Sequence, residues 1–183
     1  YRRDISLVRD EGKPLAGIRY LCKAISLLPR MRGYDIVQLI NPMFLEVKAE
    51  RIFPIYRYLK RHNKKIFLGA FGMDAYWVEV CTTRPFRFRY SDFNIGDYPI
   101  SNAYVDEQKA DWQHTPKARL NHHIATDSNG IIAGLYEYYA AYEPVHKEKL
   151  TYIPFPVPSD SHAKAIYSPE RKIRFFIGIQ KER

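Results

Sequence analysis

The residues whose types and placement could do chemistry gather at the ends of apolar runs. Asn41 follows Tyr34–Ile40, while Phe71, Gly72 and Asp74 close or follow Lys65–Phe71. Tyr136 and Glu137 follow a third run, Ile131–Leu135. Asp74 is the ionisable member of the first group, and a turn or helix-cap aspartate is its plainer reading. For Glu137 the plainer reading is a carboxylate at a helix N-terminus. A second cluster lies between Ala75 and Ile100, where Tyr76, Trp77, Phe86, Phe88, Tyr90, Phe93 and Tyr98 interleave with Arg84, Arg87 and Arg89. Aromatic and basic groups together can hold a sugar face or stack a base. The alternation Phe86, Phe88, Tyr90 equally fits a structural hairpin or lid with one wet face.

The elements that must position these groups follow from hydrophobic period. Runs apolar on both faces suit central strands of a parallel sheet. Two parallel neighbours need a crossover, and Glu46–Asn63 supplies one, with Ile52, Ile55, Tyr56 and Leu59 at helical spacing. Pro54 falls inside it, so the spacing predicts a helix in two pieces. Ser101–Ala118 reads as an exposed helix interrupted by Pro116, and Leu120, Ile124 and Ala125 mark a short amphipathic helix. A helix begins at Tyr136, and Leu150–Ile153 is a fourth strand closed by Pro154-Phe155-Pro156. In open parallel sheets ligands lie outside the carboxyl ends of the strands, which is where Asn41, Phe71, Gly72, Asp74, Tyr136 and Glu137 fall.

Near the start, Asp4–Val8 reads as a short strand. Leu15, Ile18, Cys22, Ile25 and Leu28 then predict a helix burying one apolar face. Arg19, Lys23, Arg30 and Arg32 leave a basic edge that could meet an anionic membrane surface, or simply form the wet side. At the other end, Pro158–Glu170 is polar and reads as a linker, and Lys172–Gly178 reads as a new strand. The expected organisation is a domain over 1–157, a linker over 158–170, and the opening strand of a second domain over 171–183.

With 29 Lys plus Arg against 20 Asp plus Glu, the net charge of +9 favours anionic partners: phospholipid headgroups, nucleotide diphosphates or nucleic acid. A solvated basic face is the plain alternative. Cys22 and Cys81 lack the spacing of a metal site or a disulfide framework and read as reduced thiols of a cytosolic protein. His122 and His123 are adjacent on a helix and point in different directions, which disfavours a shared metal. No apolar run reaches the ~18 residues of a membrane span. The chain opens without Met and reads as part of a longer one.

The order of these elements resembles the amino-terminal half of GT-B glycosyltransferases, especially the bacterial group that builds lipopolysaccharide and capsule. Asp35-Ile36-Val37-Gln38-Leu39 looks like that family's Asp-Val-Val-His-Val strand, and Phe71-Gly72-Met73-Asp74 like its His-Gly-x-Asp. Asp127–Leu135 is similar to its Ala-Asp-x-Ile-Ile strand, and Tyr152-Ile153-Pro154-Phe155-Pro156-Val157 to its Val-Ile-Pro-Asn-Pro-Val. Phe175-Phe176-Ile177-Gly178 resembles the opening strand and glycine of the donor-binding domain. The sequence departs from the pattern at Phe71 and Gln38, where many relatives carry histidine. The Glu-x7-Glu motif of many retaining relatives is absent.

The resemblance implies a Rossmann-like open, mainly parallel sheet flanked by helices. It implies the acceptor-binding half of a nucleotide-sugar-dependent glycosyltransferase of cell-envelope polysaccharide or glycolipid synthesis, inactive alone. The donor is a substrate and no cofactor is expected; the acceptor is lipid-linked or a saccharide. The location expected is cytoplasmic, or peripheral at the inner membrane face. Asp74 would be catalytic, Asn41, Phe71, Gly72, Tyr136 and Glu137 would line the acceptor cleft, and Gly178, Lys181 and Arg183 would meet the donor phosphates. Transfer develops positive charge on the sugar and negative charge on the leaving diphosphate, so carboxylates suit the first and cations the second. The alternative is a non-catalytic Rossmann-like module for a phosphorylated or nucleic-acid ligand, although no nucleic-acid motif supports it.

Overall fold

The structure, a computed structural model, describes residues 6–10, 12 and 14–156. The predicted linker, the strand at 172–178, and Gly178, Lys181 and Arg183 lie outside them. The element order is α1 (Ala16–Leu27), β1 (Ile36–Leu39), α2 (Ala49–His62), β2 (Lys65–Ala70), α3 (Ala75–Thr82), β3 (Asn94–Ile95), β4 (Tyr98–Pro99), α4 (Ala103–Trp112), α5 (Pro116–Asp127), β5 (Gly130–Ala133), α6 (Tyr136–His146) and β6 (Leu150–Tyr152).

Four strands form one parallel sheet in the order β1-β2-β5-β6, with Leu39 beside Leu68, Leu68 beside Ile131, and Ile131 beside Leu150. This is the Rossmann-like open α/β arrangement that the sequence predicts. One face, carrying Leu39, Ile66, Leu68, Ile131 and Ala133, is buried in the core with Ile52, Ile55, Tyr56 and Leu59 of α2, Ile124 of α5 and Tyr142 of α6. The opposite face carries Ile36 and Gln38, both exposed, and Phe67 and Ile132, both half-buried. Thus β2 is central, as its apolar run requires, but β1 is an edge among the described residues.

Three helices begin with the same device. Asp74, Asn102 and Thr115 each accept a hydrogen bond from the backbone N–H three residues on, at 3.0, 2.9 and 3.2 Å. Such a cap contributes about 1 kcal/mol.

Several expectations are corrected. Pro54 does not split α2, which runs from Ala49 to His62 with Pro54 inside it. Proline removes its own N–H bond and crowds the carbonyl of the preceding turn, and burial of Ile52, Ile55 and Tyr56 on either side of it holds the helix through that position. Most of the stripe read as the buried face of α1 points outward: Leu15, Ile18, Cys22 and Ile25 are exposed, Leu28 is half-buried against the core, and Tyr20 and Ala24 are the buried positions. Residues 86–90 form no strand beyond an isolated bridge from Tyr90 to Ile95, and the small hairpin is β3 with β4. Residues 101–118 hold α4 and the start of α5, with Val105 and Trp112 buried. Ser6–Val8 is not in a strand.

Candidate functional site

The parallel topology brings Asn41, Phe71, Gly72, Tyr136 and Glu137 to one end of the sheet, because each follows the carboxyl end of β1, β2 or β5. Three glycines shape this sheet by what they leave out. A Cβ on Gly69 would stand 2.5 Å from the Phe71 ring and 2.8 Å from the Ile40 carbonyl oxygen. A Cβ on Gly134 would stand 2.7 Å from the Phe155 ring, and one on Gly130 would stand 2.6 Å from that of Phe67. Each glycine is therefore a seat for an aromatic ring, and for Gly69 and Gly130, which lie in strands, a close approach is one of the things a strand glycine marks. Phe71 and Phe155 meet with ring centroids 5.3 Å apart and roof the ends of β2 and β5.

Around that roof the surface is open and mixed in character. Gly72 has nothing within 4 Å of where its Cβ would be, so its backbone faces free space. Beneath the surface, the Asn41 Oδ1 is buried with no hydrogen-bond partner among the described residues, an acceptor that an internal water can satisfy. Tyr136 is 67% exposed. Its ring lies 5.9 Å from that of Tyr139 and 6.1 Å from that of Tyr152. Glu137 is exposed in the first turn of α6, whose N-terminus has no side-chain cap.

Asp74 is placed differently from the other predicted residues. It is 1% exposed, its Oδ1 accepts from the Trp77 N–H at 3.0 Å, and its Oδ2 accepts from the Tyr142 hydroxyl at 2.7 Å. Asn121 completes the cluster: its Nδ2 donates to the Tyr142 oxygen at 2.9 Å, and its Oδ1 accepts from the Ala75 N–H at 3.0 Å. Burial raises the Asp74 carboxyl to about 6, against the lowering effect of the Trp77, Tyr142 and Tyr76 hydrogen bonds and the charge of His122. Burial also holds the Tyr142 hydroxyl well above its ordinary range. The aspartate is the cap of α3, and it fixes the turn that carries Phe71 and Gly72 rather than reaching the open surface.

Next to this cluster, Tyr76 stacks on Tyr142 at 4.1 Å, and its hydroxyl lies 2.6 Å from Nε2 of His146. His122 pairs with Glu79 at 2.8 Å, and that hydrogen bond raises its pKa. His123 instead packs against Phe53 and Tyr56, so the adjacent histidines do diverge. No metal-binding group of three or more His, Cys, Asp or Glu occurs among the described residues. Cys81 is buried and its thiol is pushed up to about 12 by that burial.

The arginines of the arginine-aromatic segment are engaged within the protein. Arg84 lies 5.4 Å from the centre of the Phe86 ring, Arg89 lies 5.7 Å from that of Tyr90, and Arg87 pairs with Glu143 at 3.1 Å. Sequence reading missed the glycine seats, which strand glycines could have signalled. It also missed Asn121 and Tyr142, which carry no local signal because their partners are distant in the chain. No protein-family model, curated protein or solved structure matches this chain.

Proposed function

We propose that this chain is the acceptor-side half of a nucleotide-sugar-dependent glycosyltransferase that builds cell-envelope polysaccharide or glycolipid. The observation that carries the reading is the sheet end itself. Open backbone at Gly72 and an exposed tyrosine at Tyr136 follow β2 and β5 at the carboxyl end of the parallel sheet, and Asn41, after β1, keeps a buried amide oxygen without a hydrogen-bond partner among the described residues. A sugar ring has apolar C–H faces and a rim of hydroxyls, and it matches a surface of aromatic rings and hydrogen-bonding groups. The order of motifs along the chain supports the same assignment.

In the reaction the acceptor hydroxyl oxygen bonds to the anomeric carbon of the donor. The bond from that carbon to the diphosphate breaks, its electron pair leaves with the diphosphate, and the acceptor proton passes to a base. Glu137 is the exposed carboxylate at this end, which makes it the candidate for that proton, while buried Asp74 has the positioning role. The donor phosphates fall to Gly178, Lys181 and Arg183. Nucleotide-sugar is a substrate in this scheme, and no cofactor enters.

The test is binding of a polyprenyl-linked sugar to the full-length gene product. Saturable binding that Gly72→Leu or Tyr136→Ala weakens about tenfold or more, with thermal stability unchanged, is the expected result. Salt-steep binding of unrelated oligonucleotides, with no saturable sugar binding, would transfer the assignment to a phosphate- or nucleic-acid-binding module.

A further inference from the structure

The loop between α3 and α4 carries a row of exposed apolar side chains that the sheet end does not use. Tyr90 pairs with Ile95 in the isolated bridge, and Ile95 pairs with Tyr98 across the β3–β4 hairpin. Both pairings are antiparallel, and residues directly opposite on such strands share a face. Tyr90, Ile95 and Tyr98 therefore stand side by side, and they are 66%, 59% and 80% exposed. Two strand spacings set the outer rings roughly 10 Å apart. The backbone beneath them is fixed by Asn94, which is fully buried. Its Nδ2 donates to the carbonyls of Phe88 at 2.8 Å and Gly96 at 2.9 Å, and its Oδ1 accepts from the Ser91 hydroxyl. Gly96 takes a φ of 58° in the two-residue turn Gly96-Asp97. Trp77 Nε1 donates to Asp92 at 3.3 Å and its ring meets Phe88 and Tyr138. That contact anchors the loop beside the start of α6, which carries Tyr136 and Glu137.

Rings held outward in advance suit a ligand with flat apolar faces, because little ordering is left to be done on binding. A pyranose has such C–H faces. Its hydroxyls match the tyrosine O–H groups and the flanking Arg89 and Asp97, which are exposed and opposite in sign. Opposite charges give an anion no net attraction, and Arg84, Arg87 and Arg89 are engaged with Phe86, Glu143 and Tyr90. Nucleic acid, which needs free cations, is the poorer match. The three side chains expose on the order of 400 Å² together. That is about half of the ~800 Å² that each partner contributes to a stable protein complex. The row is longer than one sugar ring, so it fits linked sugars rather than a monosaccharide. We propose that Tyr90, Ile95 and Tyr98 form a platform that binds an uncharged saccharide chain by stacking on its rings; that this chain is the acceptor beyond the sugar that reacts rests on the acceptor-side reading.

Native affinity electrophoresis of the full-length gene product reads the platform without any donor. The gels contain laminarin, galactomannan or xyloglucan, with heparin and a single-stranded oligonucleotide as charged controls. Retardation by at least one neutral glycan is expected, and added salt should not weaken it. Tyr90→Ala with Tyr98→Ala should weaken it about tenfold or more without moving the urea midpoint. Tyr90→Phe with Tyr98→Phe, which keeps both rings, should hold the affinity within about threefold. No retardation by any neutral glycan overturns the proposal, as does retardation that the alanine pair leaves unchanged, or retardation by the charged controls alone. If the alanine pair instead converts a dimer into a monomer, the row is a contact between copies and the proposal falls. Glycan binding by a protein that releases no nucleoside diphosphate from any donor would keep the platform and remove the acceptor-side reading. Acceptor-dependent release without glycan binding would do the reverse.

Discussion

Replacing Asp74 with asparagine separates a buried cap from a working carboxylate through the pH dependence of stability. Asparagine keeps an Oδ1 for the Trp77 N–H and cannot ionise. In the native protein the carboxyl stands at about 6 against its ordinary 3.8, a difference worth ~3 kcal/mol between the two protonation states. Because the folded value is the higher, the folded state holds more protons between about pH 4 and pH 6. Its contribution to stability is fully present below about 4 and is lost as pH rises through about 6. The Asp74→Asn variant has no such dependence. Any cost of rearranging the Tyr142 hydroxyl is the same at every pH and drops out of the comparison. Urea unfolding followed by circular dichroism, on both proteins at pH 4.5 and pH 7, should show the Asp74→Asn variant gaining ~2 kcal/mol on the wild type across that interval. A difference between the two proteins that stays flat with pH would refute the buried cap. It would place a comfortably ionised carboxylate at this position and return Asp74 to the list of candidate catalytic groups.

Gly69→Ala should cost ~2 to 3 kcal/mol, since the new methyl meets the Ile40 carbonyl as well as a ring, whereas the atoms nearest a methyl at Gly134 all belong to the movable Phe155 ring and Gly134→Ala should cost ~1 kcal/mol. Paired thermal melts check the ranking, and equal costs would contradict the ring-seat geometry. Asn121→Ala should cost ~2 to 4 kcal/mol, because it strips partners from the Ala75 N–H and the Tyr142 hydroxyl inside the core; urea midpoints measure it. In a proton NMR titration His122 should titrate above 6.5, held up by its hydrogen bond to Glu79, and His146 below it, held down by burial. The reverse order would contradict both environments.

The parts of the fold legible in the sequence were those whose cause is local or periodic. The apolar runs at Lys65–Phe71 and Ile131–Leu135 announce strands because hydrophobic burial acts on every residue of a central strand. The carboxyl-end placement of Asn41, Phe71, Gly72, Tyr136 and Glu137 then follows from topology. Features decided by distant partners were not legible. The stripe at Leu15, Ile18, Cys22 and Ile25 has the period of a buried face, but period does not say which of two apolar sides meets the core; Tyr20 and Ala24 do. Pro54 overstated a break because burial on both sides of it outweighs a missing hydrogen bond and a crowded turn. The alternation at Phe86–Tyr90 has strand period, yet the only pairing there among the described residues is one bridge to Ile95. Asp74 shows both sides of the matter. Its position before a helix was readable as a cap, but its burial comes from Tyr142 and Asn121, far along the chain.

Whether this sheet end receives a sugar acceptor is decided by the activity of the full-length gene product against a panel of nucleotide-sugars. Release of nucleoside diphosphate is followed with and without a lipid-extract acceptor. Release should depend on the acceptor and on one donor, and it should fall at least tenfold in Gly72→Leu. A folded full-length protein that releases no nucleoside diphosphate from any donor, with or without acceptor, would contradict the assignment.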